Sequence, residues 1–249
     1  MPARITLKPA AAGGAKAGYH QAHAALLDLA DPGKAAFLAG FFKTGKGQYA
    51  EGDRFLGIPV PAIRRISRQN RQLSLSHVER LLRSAYNEER LLALLVLGDT
   101  YRTGDAPTRQ AVCRCYLRNR SRVNNWNLVD ASAPYILGAH LLRRKRTLLY
   151  RLARSPNLWE RRIAVLATFA FIREGDFADT LELIRRLLDD NHDLMHKACG
   201  WMLREIGKRD PGTLEAFLQQ HHRVMPRTML RYAIERFTSA RRRAYLKGL

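Results

Sequence analysis

The clearest helical pattern in the chain lies in MHKACGWMLREIGKRDP, residues 195–211. Its apolar side chains recur every three or four residues, the spacing that gathers them on one face of an α-helix. They are Met195, Cys199, Met202 and Ile206. Asp210 and Pro211 then supply an N-cap and a first-turn proline for a second helix. The stretch therefore predicts a core helix, a short turn and a following helix.

The same helical period continues through most of the chain from about residue 19 onward. No sustained two-residue alternation and no Asn-Gly or Asp-Gly dipeptide indicates a β-hairpin. Ser155 and Pro156 are expected to cap and begin one of the helices. Helices are predicted near residues 19–30, 33–43, 59–69, 75–85, 87–103, 106–118, 125–141, 143–153, 156–173, 176–188, 192–208, 211–220, 226–237 and 239–247.

Short loops join these helices, so consecutive helices are expected to pack as antiparallel neighbours. Pairs recur roughly every 35–45 residues, which is the period of helical-repeat arrays. The sequence therefore predicts an all-α, HEAT-like helical-repeat solenoid with a concave basic cleft, and an all-α bundle of ordinary topology is the alternative. Residues 1–18, rich in Ala and Gly, are expected to form a flexible N-terminal segment, and residues 19–249 a single domain.

The charge of the chain is strongly positive. There are 43 Lys and Arg residues against 22 Asp and Glu, a formal net charge of +21, and 34 of the cations are Arg. The planar guanidinium of Arg matches phosphate oxygens better than the ammonium of Lys does. The composition therefore favours a nucleic-acid partner, with an anionic membrane surface or an acidic protein as the second interpretation.

Other features narrow the class of protein. The longest apolar stretches, residues 91–98 and 163–172, are too short to span a bilayer, and the N-terminus lacks the apolar core of a signal peptide. Cys113, Cys115 and Cys199 form neither a CxxC pair nor an even disulfide set, and no Cys/His zinc spacing occurs. We expect a cytoplasmic protein, nucleoid-associated if bacterial, without a metal or cofactor.

Trp126 and Asp130 form the first candidate constellation. They are four residues apart on one face of a predicted helix whose core positions are Val129, Ser132 and Ile136. An indole one turn from a carboxylate can hold a cationic or sugar-like group between them. The alternative is an aspartate favoured by the helix dipole beside a core tryptophan. Cations precede the pair in sequence: Arg118, Arg120 and Arg122.

Two further segments carry candidate residues. Lys197, Trp201, Arg204 and Lys208 follow one helix face, which is either a stacking surface for a nucleic acid or a half-buried indole covered by cationic stems. Arg161 and Arg162 lie near a helix N-terminus, where the dipole disfavours cations. Glu160 is a local partner for one of them, which leaves the other for a phosphate or for the Asp130 carboxylate.

Four motifs together resemble the AlkD-type DNA alkylation repair family. They are FLGIPVPAIRRI (55–66), WNLVD (126–130), SPNLWERR (155–162) and KACGWMLRE (197–205). The resemblance covers roughly residues 35–240. It implies a HEAT-like-repeat glycosylase that excises alkylated purines from duplex DNA, with no specific pocket for the flipped base. It also identifies residues 19–249 as the alkylation repair domain.

The resemblance implies an active site of Trp126, Asp130, Arg162 and Trp201, although Arg161 could take the place of Arg162. The cations Arg118, Arg120, Arg122, Arg161, Lys197, Arg204 and Lys208 are then expected to bind DNA. A purine alkylated at N3 or N7 is already cationic, so it leaves without a strong acid. The protein supplies a carboxylate near the oxocarbenium-like sugar, a positioned water and two indoles. We expect a monomeric, monofunctional enzyme without metal or cofactor.

Two other functions stay open. Some relatives bind DNA without excising a base, so a non-catalytic HEAT-repeat protein that recognises damaged or branched DNA is the first alternative. Many helical-repeat arrays are protein-interaction scaffolds, which is the second. The high charge disfavours the scaffold, and the complete set of Trp126, Asp130 and Trp201 disfavours the passive binder.

Overall fold

A computed structural model describes the backbone of residues 12–247 and the side chains of residues 18–247. Over that range the chain is helical, with no β-strand and one isolated bridge between Arg54 and Tyr86. This confirms the all-α prediction. Of the segment predicted to be flexible, residues 1–11 lie outside the described part, and residues 12–18 belong to the first helix.

The described residues form sixteen α-helices, a 3-10 turn at Arg120–Arg122 and a π-helical segment at Pro134–Gly138. The α-helices are α1 (Ala12–Leu27), α2 (Pro32–Phe41), α3 (Val60–Gln69), α4 (Leu75–Leu82), α5 (Asn87–Thr103), α6 (Ala106–Arg118), α7 (Trp126–Ser132), α8 (Ala139–Leu141), α9 (Thr147–Ala153), α10 (Leu158–Ala167), α11 (Phe169–Arg173), α12 (Ala178–Arg186), α13 (Asp193–Gly207), α14 (Pro211–His221), α15 (Arg227–Ala233) and α16 (Ser239–Lys247).

Side-chain caps begin several of these helices. Asp31, Asp105 and Asp210 each accept a hydrogen bond from the backbone N–H three residues later, and each is followed by a first-turn proline. The predicted cap at Ser155 is wrong. Helix α10 begins two residues after Pro156, because the side chain of Asn157 accepts hydrogen bonds from the next N–H groups, that of Trp159 at 2.8 Å.

The described chain forms two compact units, one ending at Asp99 and the other beginning at Thr100. In the first, α1 packs on α3 and α4. The buried carboxylate of Glu88 accepts hydrogen bonds from the backbone N–H groups of Leu56 and Gly57, at 3.0 and 2.9 Å. Gly57 has a φ of +82°, a conformation that glycine adopts without strain. The FLGIP motif is therefore a loop held against α5 by a buried acid.

The second unit is built around α10 and α13. Helix α10 packs on α7, α9, α13 and the π-helical segment, and α13 packs on α14 and α15. The predicted stripe on α13 is confirmed, because Met195, Cys199, Met202 and Ile206 are fully buried. A Cβ atom at Gly200 would overlap the carbonyl oxygen of Met229 on α15. The glycine therefore allows these two helices to approach closely.

The predicted helix over residues 125–141 is interrupted. Pro134 has no N–H to donate to the carbonyl of Asp130, and the chain forms a π-helical segment in which the N–H of Gly138 bonds the carbonyl of Ala133 at 2.9 Å. Val129, Ser132 and Ile136 are fully buried, as predicted. The core face of this helix is therefore kept, while its backbone changes pitch just after Asp130.

The described residues contain neither a helix that is long and apolar enough to cross a membrane nor a group of three or more His, Cys, Asp or Glu side chains that could hold a metal ion. Cys113, Cys115 and Cys199 are buried free thiols.

Candidate active site

A two-pronged ion pair joins Asp130 on α7 to Arg162 on α10. The guanidinium Nε donates to Oδ1 and Nη2 donates to Oδ2, both at 2.9 Å. Its remaining nitrogen, Nη1, donates to the backbone carbonyl of Leu194 on α13 at 2.6 Å. The Arg162 side chain is 5% exposed and that of Asp130 21%. One buried arginine thus fixes the carboxylate and connects three helices.

The environment of Asp130 perturbs its ionisation. Burial raises the pKa of the Asp130 carboxyl, and the adjacent Arg162 charge with its hydrogen bonds partly offsets that rise. The pKa stays above the ordinary aspartate value. Arg162 is therefore the group that favours the ionised carboxylate in this buried position.

The choice between Arg161 and Arg162 follows from their partners. Arg161 donates from Nε to Oδ2 of Asp190 at 2.7 Å and from Nη1 to the carbonyls of Ser155 and Pro156, so it ties the start of α10 to the segment before α13. The predicted local pairing of Glu160 with one of these arginines is wrong. Glu160 instead accepts from Nε of Arg120 at 2.6 Å. Only Arg162 contacts Asp130.

Trp126 lies one helical turn before Asp130, as the first residue of α7. Its backbone N–H bonds the side chain of Asn125 at 2.8 Å, which sets the helix start. Its side chain is partly buried, whereas Leu128 and Val129 on the same helix are fully buried. The indole therefore lies at the margin of the core, on the helix that carries the carboxylate.

Trp201 is held by two residues that the sequence analysis did not single out. Its indole Nε1 donates to Oε1 of Glu205 at 3.1 Å, and its ring contacts that of Phe169 with centroids 6.0 Å apart. Glu205 is 7% exposed and also accepts from Nζ of Lys208 at 2.6 Å. The four-residue spacing from Trp201 to Glu205 was the available signal for this contact. Trp201 is two turns from Leu194, whose carbonyl binds Arg162.

The sequence model of a protein family described as DNA alkylation repair enzyme matches residues 22–237. The chain belongs to this family. Its structure is similar to that of a predicted DNA alkylation repair enzyme from Enterococcus faecalis, with a TM-score of 0.66, 18% sequence identity, and coverage of 84% of this chain and 97% of that one. At this identity the likeness shows the fold alone. Among curated proteins, none matches the chain.

Membership of the DNA alkylation repair family confirms the resemblance carried by the four motifs, and all four candidate active-site residues lie within the matched range. The structure brings Asp130 and Arg162 into direct contact. It connects Trp126 to them through α7 and Trp201 through α13. Their roles in the family's chemistry remain predictions.

The cations that the DNA alkylation repair resemblance predicts to bind DNA differ in their exposure and in their partners. Arg118 is exposed at the end of α6, and Arg122 is partly buried in the following 3-10 turn. Five others form ion pairs with acidic side chains: Arg120 with Glu160, Arg161 with Asp190, Lys197 with Asp193, Arg204 with Glu235 and Lys208 with Glu205. Ion pairs at exposed positions are weak, so a phosphate can replace such an acid. The Arg161–Asp190 pair, with 17% of the arginine side chain exposed, is better suited to a structural role.

Proposed function

We propose that this protein is a monofunctional DNA glycosylase that hydrolyses the N-glycosidic bond of cationic N3- and N7-alkylated purines in duplex DNA, the first step of base excision repair. The pair of Asp130 with the buried Arg162 is the observation that carries the proposal. It fixes a partly exposed carboxylate on α7, the helix that bears Trp126, and the same arginine also bonds α13, the helix that bears Trp201.

The proposed chemistry needs only groups of this kind. The bond between C1′ and the purine nitrogen breaks, and its electron pair neutralises the departing cationic base. The sugar is left as an oxocarbenium-like cation, which a nearby carboxylate stabilises. A water molecule then adds at C1′ and gives up its proton, for which Asp130 is the proposed acceptor. The product is an intact strand with one abasic site.

Arg162 acts in this proposal through Asp130. Three of the five N–H donors of a guanidinium are already engaged, two by the carboxylate and one by the carbonyl of Leu194. Because only 5% of its side chain is exposed, Arg162 is better suited to position Asp130 than to bind a phosphate. Contacts to the DNA backbone then belong to more exposed cations. This assigns Arg162 to the carboxylate, one of the two roles that the sequence left open.

The two tryptophans are proposed to face the cationic nucleotide. An indole ring attracts a cation at its face without any hydrogen bond to a base edge. The hydrogen bond from Trp201 Nε1 to the buried Glu205 carboxylate keeps that ring in one orientation. This mode of recognition selects for positive charge on the nucleotide and requires no base-specific flipping pocket.

Base release tests the proposal directly. The purified protein is incubated with duplex DNA treated with a methylating agent, and released bases are identified by chromatography and mass spectrometry. We expect 3-methyladenine and 7-methylguanine, without added metal or cofactor. Release of neither base, together with tight binding to the same DNA, would instead support the alternative of a binding protein for damaged or branched DNA.

One observation favours that alternative. Both oxygens of Asp130 accept hydrogen bonds from Arg162, an arrangement that also occurs in purely structural ion pairs. Each carboxylate oxygen has a second lone pair, however, so the pair leaves acceptor capacity for a water molecule or a developing positive charge. The release assay separates the two functions because only the glycosylase produces free base.

A further inference from the structure

Arg173, the last residue of α11, contacts two aromatic rings. Its guanidinium carbon is 4.9 Å from the centroid of the Phe169 ring and 5.2 Å from that of Tyr135. The arginine is exposed, and Tyr135 is 45% exposed. Within residues 18–247, Arg173 has no ion-pair or hydrogen-bond partner. A solvent-facing guanidinium is therefore held in place by stacking and not by an acid.

These residues continue from the candidate site. Phe169, which stacks with Arg173, also contacts the ring of Trp201. Phe169 and Arg173 are four residues apart on α11, so they share one face of that helix, which follows α10 directly after Thr168. We call Trp201, Phe169, Arg173 and Tyr135 the aromatic–arginine strip. It joins α13, α11 and the π-helical segment that follows α7.

Stacking leaves the recognition edges of the guanidinium available. A guanidinium that stacks on an aromatic ring keeps its in-plane N–H donors available, and these match two oxygens of one phosphate. The rings also restrict the side chain, so less rotational freedom is lost when a ligand binds. A favourable interaction with the C-terminal helix dipole would explain a cation here but not the two flanking rings.

We propose that Arg173, in contact with Tyr135 and Phe169, is a binding site for a phosphodiester group of the DNA backbone beside the lesion. Eleven residues separate Arg162 from Arg173, and the two lie on different helices, α10 and α11. The phosphate bound by Arg173 therefore belongs to a flanking nucleotide and not to the one that reacts. The inference rests on the DNA-binding part of the proposed function and not on base excision.

Arg186 on α12 is the matched control. It is also exposed and lies over an aromatic ring, with its guanidinium carbon 5.1 Å from the centroid of Tyr150, but it forms an ion pair with Glu182 at 2.6 Å. Arg173→Ala and Arg186→Ala remove the same charge. They differ in whether the arginine has an acidic partner and in its distance from the candidate site along the chain.

The test measures the dissociation constant for an undamaged duplex at several salt concentrations. We expect Arg173→Ala to weaken binding about tenfold or more at low salt, the effect of losing charge-assisted hydrogen bonds to one phosphate. It should also reduce the steepness of the log–log salt dependence by about 0.9. Arg186→Ala should change neither quantity by a comparable amount. Equal effects of the two substitutions, or no effect of Arg173→Ala, would overturn the assignment.

A double-mutant cycle tests the part played by the rings. Tyr135→Ala should weaken binding several-fold when Arg173 is present and should have little effect in an Arg173→Ala background, because the ring acts through the arginine. An equal loss in both backgrounds would show that Tyr135 contacts DNA independently, against the proposal. Circular dichroism and melting temperatures identify variants that fail to fold, and Arg173→Lys, which keeps the charge without the planar fork, should lie between wild type and Ala.

Excision from methylated duplex is measured on the same samples under single-turnover conditions, with protein in excess. Arg173→Ala should raise the protein concentration needed for the half-maximal rate, because the residue binds a flanking phosphate, whereas Arg186→Ala should leave both that concentration and the rate unchanged. If the wild-type protein releases no base, the glycosylase proposal fails, while the affinity comparison on undamaged DNA still decides the assignment of Arg173.

Discussion

The guanidinium of Arg162 binds the carboxylate of Asp130 through two parallel hydrogen bonds of 2.9 Å, with only 5% of the arginine side chain exposed. Breaking a buried ion pair by removing one partner leaves an uncompensated charge, at a cost of about 3–5 kcal/mol. The pair is therefore both a structural connection between α7 and α10 and the means by which the ionised form of one carboxylate is favoured and oriented.

Removal of Arg162 is expected to destabilise the fold. Arg162→Ala should lower the free energy of unfolding by about 3 kcal/mol or more, because Asp130 is left buried without its charge partner. Arg120→Ala is the control. The Arg120–Glu160 pair is partly exposed, with 45% of the arginine side chain accessible, and its loss should cost about 1 kcal/mol or less. Denaturant unfolding of both variants measures the difference, and equal stabilities would show that the Asp130–Arg162 pair contributes little.

The rate of base release should fall in acid with a midpoint above the ordinary aspartate pKa. Burial raises the pKa of Asp130, and the reaction needs the ionised form, so activity is lost as the pH drops through that raised value. In Arg162→Ala the opposing charge is absent, and the midpoint should move to higher pH. Single-turnover rates measured from pH 4 to 8 report the midpoint. A midpoint that Arg162→Ala leaves in place would show that a different group titrates.

Substitution of Glu205 should affect Trp201. Glu205→Ala removes the acceptor of the Trp201 Nε1 hydrogen bond, and the freed indole should lower excision about tenfold, within the range of a cation–π contact. Glu205→Gln keeps an acceptor oxygen and should restore most of the rate. Indole fluorescence should shift in Glu205→Ala alone. Glu182→Ala, which removes an acid paired with Arg185 and Arg186, is the control and should leave rate and fluorescence unchanged.

Lesion selectivity should follow the charge of the base. We expect release of N3- and N7-alkylpurines but little or no release of uracil, hypoxanthine or 8-oxoguanine, which need protonation or stronger activation to leave. The strand should stay intact, because its cleavage would need an amine nucleophile that forms a Schiff base with the sugar. Lys197 is not proposed for that role, since it forms an ion pair with Asp193 at 2.7 Å. Gel analysis of oligonucleotides containing single lesions measures both properties. Efficient uracil release, or borohydride trapping of the protein on DNA, would contradict the carboxylate mechanism.

Local sequence signals predicted most of the helices. The bounds of α5 and α6 match those expected for residues 87–103 and 106–118, because caps and apolar spacing are encoded within each segment. The start of α10 was misplaced, since Asn157 caps the helix two residues beyond the Ser-Pro signal. The π-helical segment after Asp130 was also missed. A single π-helical turn adds one residue to the helix, and an apolar pattern with a 3.6-residue period does not reveal that extra residue.

The site was predictable only in part. Spacing alone placed Trp126 and Asp130 on one face, but the partner of Asp130 lies 32 residues away in sequence. The choice between Arg161 and Arg162 depends on how α10 is rotated against α7 and the segment before α13, which local periodicity does not determine. The contact of Phe169 with Trp201 has the same origin, because it joins two helices that meet only in the folded chain.

Asp130 is proposed to act in bond cleavage and not in DNA binding. Asp130→Asn preserves shape and removes the charge, and Asp176→Asn does the same to an exposed acid paired with Arg146. Single-turnover release from a duplex with one 7-methylguanine should fall about 100-fold or more in Asp130→Asn and stay at the wild-type rate in Asp176→Asn, while DNA affinity is kept or rises slightly in Asp130→Asn. A wild-type rate of release by Asp130→Asn would show that the carboxylate is structural and would contradict the assignment of the site.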